Sequence, residues 1–169
     1  MSIEPVFVGA NPGCVLSTGV RASVWIADWS IHGPGRVGIV ASENETVVVS
    51  SQPVLARWLA NELTAYFPEF EGVDFGTAEY QDADVALQVL TPTDLRATFG
   101  GYEVAIGDSK EVRPVTVEAW EMGGTTMRLT NLLSPSRSAA VSRDKKPFEG
   151  EPTTAFVATS ERWDRVRRD

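Results

Sequence analysis

Two glycine pairs, Gly100-Gly101 and Gly123-Gly124, each sit between segments that alternate apolar and polar residues. This punctuation constrains the fold more than any other feature of the chain. A primed two-residue turn needs positive φ at both central positions, which glycine adopts without a Cβ clash. The pairs therefore predict two antiparallel hairpins, one joining residues 95–99 to 102–106 and one joining 112–121 to 125–133. Upstream, residues 21–32 are β-branched and aromatic and end at Gly33-Pro34-Gly35, so they read as a strand, followed by strands at 37–41 and 46–50 across a polar turn. Downstream, Ser134-Pro135-Ser136 interrupts the pattern. Residues 138–142 then form a short strand, 143–147 a charged turn and 153–159 the last strand, and 161–168 read as a frayed terminal turn or short helix.

The hydrophobic period changes once. After Ser51-Gln52-Pro53, the residues Leu55, Trp58, Leu59, Leu63, Tyr66 and Phe67 recur at helical spacing until Pro68, which predicts a helix over 53–67 lying on the sheet with Trp58 at the centre of its apolar stripe. Residues 69–82 are acidic and contain Gly72 and Gly76, so a loop with a short strand at 73–75 is expected. Residues 85–90 read as a strand or short helix. The sum is an α+β chain of one domain over residues 1–169, predominantly antiparallel β. Eight or nine strands are expected in a barrel-like or two-layer arrangement, because a long open sheet leaves unpaired edges.

Composition narrows the chemistry. The 169 residues include one His and one Cys, with 15 basic against 23 acidic side chains and a net charge of −8. Cys14 has no disulfide partner and His32 cannot build a multi-histidine site, so disulfide scaffolds, zinc fingers and HExxH metalloproteases are excluded. Cys14 follows Asn11-Pro12-Gly13, a turn leading into an apolar run, and reads as a buried small hydrophobe. Residues 1–134 carry 7 basic and 17 acidic side chains, whereas 135–169 carry 8 and 6 and end in a short basic tail. Between Arg57 and Arg96 stand eight acidic residues and no cation. An acidic body repels phosphate backbones, so no nucleic-acid partner is expected. The start of the chain lacks a basic n-region and an apolar h-region, and no window is long enough to span a membrane. A cytoplasmic protein without a membrane partner is the expectation. Neither GxGxxG nor GxxxxGK[ST] occurs, and no cofactor is expected. Glu79, Asp82 and Asp84 cluster, but without an EF-hand pattern they read as a solvated loop and not as a metal site.

Strand alternation divides residues 21–32 into Ser23, Trp25, Ala27, Trp29 and Ile31 on one face and Val24, Ile26, Asp28, Ser30 and His32 on the other. The second face turns polar at its carboxyl end, as in a strand that runs from a core to a pocket mouth or simply emerges into solvent. Asp28 and His32 are roughly 13 Å apart along an ideal strand, too far for a direct hydrogen bond. Glu118 shares a face with Thr116 and Trp120 and stands opposite Leu129 by simple counting from the glycine turn, with Arg128 diagonal to Glu121. A carboxylate buried beside Trp120 would have the raised pKa that a general acid needs.

The leading expectation is a small domain that binds or modifies an apolar or neutral organic molecule in an aromatic-lined cavity. His32, Asp28 and Glu118 are its candidate catalytic groups, and Trp25, Trp29, Trp58, Trp120, Ser30 and Arg128 its candidate ligand contacts. The competing expectation is a non-catalytic interaction or oligomerisation module, a homodimer included, that uses sheet edges and the acidic segment 69–84.

Overall fold

The structure is a computed structural model and describes residues 1–168. One curled sheet of twelve strands carries the fold, with a single helix on it. The strands are β1 (Ser2–Leu16), β2 (Arg21–Ser30), β3 (Gly35–Ala41), β4 (Thr46–Val49), β5 (Glu79–Gln81), β6 (Ala86–Thr91), β7 (Asp94–Phe99), β8 (Tyr102–Ser109), β9 (Arg113–Met122), β10 (Thr125–Arg143), β11 (Lys146–Pro147) and β12 (Pro152–Arg167). Along the sheet the order is β5-β4-β3-β2-β1-β12-β10-β8-β7-β6, and β9 and β11 both pair with β10. Every pairing is antiparallel except β4 with β5.

Both glycine hairpins form where the sequence places them. Gly100 and Gly101 have φ of 54° and 83°, and Gly123 and Gly124 have 60° and 86°, the positive values a primed turn requires.

The strands number twelve and not the expected eight or nine, with β1, β5 and β11 as additions, and three segments depart from the expected pattern. Residues 2–16 form a single strand despite Pro5, Gly9, Pro12 and Gly13: register shifts follow Pro5 and flank Gly9, while Pro12 and Gly13 stay in register opposite Val157 and Phe156. The Asn11-Pro12-Gly13 segment is accordingly strand and not turn. Residues 134–136 do not end a strand either. They are where the 19-residue β10 changes partners, pairing with β9 and β12 before them and with β8 after them. Finally, 161–168 is not a terminal turn. β12 runs to Arg167 between β1 and β10, near the middle of the sheet.

The curl gives the sheet two apolar clusters. On one face Phe7, Trp25, Ile39 and Val48 pack against Leu55, Leu59 and Leu63 of the helical segment. On the other, Val24, Val40 and Val47 meet Leu95, Phe99 and Val104 of the β7–β8 hairpin. Phe99 lies directly on Gly38, where any Cβ would stand 2.5 Å from its ring, so the curl depends on glycine there. Glu45, in the β3–β4 turn, ties the curled sheet together by accepting from Tyr102 Oη and Arg143 Nη1, both at 2.6 Å.

The helical segment covers 53–66, but only Pro53–Trp58 (α1) is α-helical; Leu59–Leu63 is a π-turn and Thr64–Tyr66 a 3₁₀ turn. Leu55, Leu59, Leu63 and Phe67 repeat every four residues. On a helix of 3.6 residues per turn such a stripe drifts by about 40° per step. A wider turn returns it to the sheet, and Thr64 holds that turn by donating its hydroxyl to the Leu59 carbonyl at 2.8 Å and accepting Trp25 Nε1 at 2.9 Å. The acidic segment is likewise no free loop. Phe70 and Phe75 are buried, and the two carry short 3₁₀ turns that hold residues 68–77 on the core, with no strand at 73–75.

Candidate functional site

The site expected around His32 does not assemble. Asp28 is an extra residue in a bulge, since Trp29 pairs with Val8 and Ala27 with Gly9. A one-residue bulge reverses the alternation beyond it. Trp25 and Ala27 therefore face the core while Trp29 turns out and is 46% exposed. Ser30 turns in, and its hydroxyl holds the following turn by donating to the Gly33 carbonyl and accepting the His32 amide. Asp28 and His32 both lie in solvent, and His32 touches Trp58 edge-on at 5.1 Å between ring centroids. Trp58 is half-buried at the margin of the helix and not at the centre of its packed stripe. Trp25 is fully buried and committed to Thr64.

A second bulge relocates Glu118. The β9–β10 register slips between Met127 and Leu129, so Glu118 and Ala119 together oppose Arg128. Glu118 is exposed and accepts from Arg128 Nε at 3.0 Å, while Arg128 also approaches the buried Asp164 at 3.8 Å. Glu121 accepts from Thr126 and takes no part in the pair expected of it with Arg128. Of the candidate residues, Trp120 is the one that lines an apolar cavity.

That cavity, of about 390 Å³, lies against β9, β10 and β12, with Phe67 and Pro68 at the end of the helical segment beside it. The volume falls in the range of ordinary small-molecule sites. Its aromatic wall is a trio in which Phe67 stacks on both indoles, themselves tilted by 42°. Phe67 to Trp120 is 5.5 Å at 27°, Phe67 to Trp163 is 5.9 Å at 18°, and the two indoles are 5.6 Å apart. Phe67 also contacts Trp25 behind it, so the wall continues into the core.

Within this wall stands Glu161, a residue 2% exposed that no sequence motif singles out. Its position comes from a third bulge. β10 pairs Thr130 with Arg162 and then Leu132 with Thr159, which leaves Asn131 facing the two residues Ser160 and Glu161. Ser160 takes φ of 46°, a left-handed conformation that the bulges at Asp28 and Glu118 do not use. Beyond the bulge the alternation is reversed. Ala155 and Val157 belong to the cluster on the hairpin side, whereas Trp163 belongs to the helix side, and Glu161 shares the cavity with it.

Asn131 Nδ2 donates to Glu161 Oε1 and Trp163 Nε1 donates to Glu161 Oε2, both at 3.1 Å. Burial pushes the carboxyl from its ordinary 4.5 up to about 7, against the opposing pull of these two hydrogen bonds. Among the described residues no Lys or Arg pairs with it. Asn131 Oδ1 is buried and meets no donor. Asn11, also at the cavity, spends its amide on Ser23 Oγ and the Val24 carbonyl, each at 2.9 Å. A buried carboxyl that changes protonation near neutrality, in an apolar cavity, is equipped to give or take a proton.

Two further groups carry no such chemistry. Among the described residues no cluster of three or more His, Cys, Asp or Glu could hold a metal ion. Cys14 is buried and its thiol is pushed up to about 12 by burial, which leaves it unreactive. No described helix is long and apolar enough to cross a membrane.

The fold and site together define a curled, mostly antiparallel sheet with a single helix and a buried carboxyl in an aromatic cavity. No family model matches the chain, and no curated protein matches it. Among solved structures, the acetoacetate decarboxylase of Legionella pneumophila subsp. pneumophila is similar at a TM-score of 0.42 and 9% identity, covering 100% of this chain and 88% of that one. A likeness of that size assigns neither an activity nor a substrate.

Proposed function

We propose that the chain binds, and through Glu161 can modify, a small and largely apolar organic molecule in the cavity formed by Trp120, Trp163 and Phe67. The observation that carries this reading is the nearly unexposed Glu161 carboxyl, held by two neutral donors and raised to about 7, in the wall of a 390 Å³ cavity. Burying an uncompensated carboxyl is costly, and such groups concentrate where chemistry or binding uses them. The half-buried Trp120, backed by Phe67 and Trp163, offers apolar ring area to a ligand. Glu161 supplies the proton-carrying role first expected of His32, and Trp120 retains the contact role expected of it.

The test is saturable quenching or spectral shift of tryptophan emission on titration with small ring compounds. Binding is expected in the wild type and in His32→Ala, and at least about tenfold weaker binding in Trp120→Ala. No saturable response to any compound, or a response unchanged in Trp120→Ala, would overturn the reading.

One observation favours the competing reading of an interaction module. β6 ends the sheet and exposes Val89 and Leu90 at 68% and 58%, and an apolar edge strand is an unpaired template for a second chain. A solution mass of two chains that reverts to one in Val89→Lys supports it; a plain monomer removes it.

A further inference from the structure

We infer that the ligand of this cavity carries a cationic hydrogen-bond donor, a protonated amine, on an apolar ring-bearing body. The inference rests on the binding role assigned to the cavity above and concerns the chemistry of its polar end.

The lone pairs there outnumber the donors. A carboxylate offers about four lone-pair positions and an amide oxygen two. Glu161 receives two hydrogen bonds, from Asn131 Nδ2 and Trp163 Nε1, and Asn131 Oδ1 receives none. Buried acceptors left in this condition are rare in folded proteins and destabilising unless something donates to them. Neither residue can supply the missing donor. The Trp163 indole N–H and one hydrogen of the Asn131 amino group already go to Glu161, the other hydrogen of that amino group cannot reach the oxygen of its own amide, and both amino hydrogens of Asn11 go to β2. An incoming group should therefore bring several donors and no acceptor, and an ammonium, with up to three N–H bonds and a full charge, meets that description.

Charge and aromatic placement agree. No described cation neutralises Glu161. The remaining charged groups at the cavity are Glu69 and Arg113. Arg113 lies more than half exposed with Glu111 at 3.9 Å, so its charge is directed to solvent. A cation entering this space meets Glu161 beside the half-buried Trp120, whose ring is backed by the buried Phe67 and Trp163, and aromatic rings attract cations placed over their faces. The chain as a whole carries a net charge of −8, which favours the approach of a cation over that of an anion.

Three probes that share one ring test this: 2-phenylethylamine, 2-phenylethanol and 3-phenylpropanoate, titrated against the full chain by tryptophan fluorescence and calorimetry at about pH 8 and about pH 5.5, either side of the Glu161 transition. The amine stays protonated at both values, so a change in its affinity reports on the protein. At the higher pH the amine is expected to bind about tenfold more tightly than the alcohol and the carboxylate least, with the preference collapsing at the lower pH. Glu161→Gln should reduce amine affinity about tenfold and leave alcohol affinity within about twofold. Asn131→Asp, which places a second carboxylate at the acceptor, should retain the amine preference. Equal binding of amine and alcohol, tighter binding of the carboxylate, or an amine preference that survives Glu161→Gln overturns the inference while leaving the cavity reading intact. No binding of any of the three, together with the failure of wider ring compounds, removes both.

Discussion

Glu161→Gln should change the pH dependence of stability in a direction that most carboxyl substitutions do not. A native carboxyl usually titrates below its unfolded value, so its contribution grows with pH. Glu161 is raised from 4.5 to about 7, so between these values the folded chain holds a proton that the unfolded chain has released. Its contribution is therefore fully present below about pH 4.5 and is lost as the pH rises through about 7. At 1.36 kcal/mol per pKa unit the loss is about 3 kcal/mol, which for a chain of this length corresponds to about 10 °C in midpoint. Glutamine stays neutral throughout. It keeps one acceptor oxygen and places an amino group against the other donor, a cost that does not vary with pH. The assay is urea unfolding of wild type and variant at intervals from about pH 4.5 to about pH 8, taking their difference so that titrations elsewhere cancel. The variant should gain about 3 kcal/mol relative to wild type across that range. A difference flat to within about 0.5 kcal/mol, or one that moves toward the wild type as pH rises, would refute the assignment of Glu161 as a buried, uncompensated carboxyl.

Three further outcomes follow from the packing. Thr64→Val strands the Trp25 indole N–H in the core and removes the hydroxyl bond to the Leu59 carbonyl, which keeps its bond from the Thr64 backbone N–H; the loss should cost about 1–3 kcal/mol in urea unfolding, while Thr64→Ser keeps both side-chain bonds and most of the stability. The Cys14 thiol, pushed up to about 12, should ignore Ellman's reagent in the native chain and release one equivalent in denaturant. His32→Ala should lower stability by no more than about 1 kcal/mol, the worth of its edge contact with Trp58.

The parts of the fold legible in the sequence are those specified by local backbone chemistry. Gly100-Gly101 and Gly123-Gly124 specify their turns through φ alone, and the four-residue apolar repeat from Leu55 to Phe67 specifies a helical element whatever its pitch. What stayed illegible is decided by partners distant in sequence. β1 carries two prolines and two glycines and reads as broken chain, yet β2 and β12 pair along both its sides. Pro135 looks like a stop because proline removes a donor, but β10 changes partners there, so the missing donor costs little.

The candidate site failed to show itself for one physical reason repeated three times. Face assignments from period two hold only while the register holds, and bulges at Asp28, at Glu118 with Ala119, and at Ser160 each reverse them. The first two move candidate polar groups into solvent or into a surface ion pair. The third moves Glu161 from the face it would share with Val157 to the face of Trp163. A sequence reading that extended the last strand past Thr159 would have met Glu161 and Trp163 two residues apart, a carboxylate and an indole on one face. The left-handed Ser160 that makes this face the cavity face cannot be read from serine, which has no preference for positive φ. Strain at Ser160, an unpartnered Asn131 oxygen and an ionisable carboxyl without a cation thus fall within two adjacent strands. A fold selected for stability alone would remove each of them by substitution. Their concentration at one cavity is what a site that gives up stability for binding looks like.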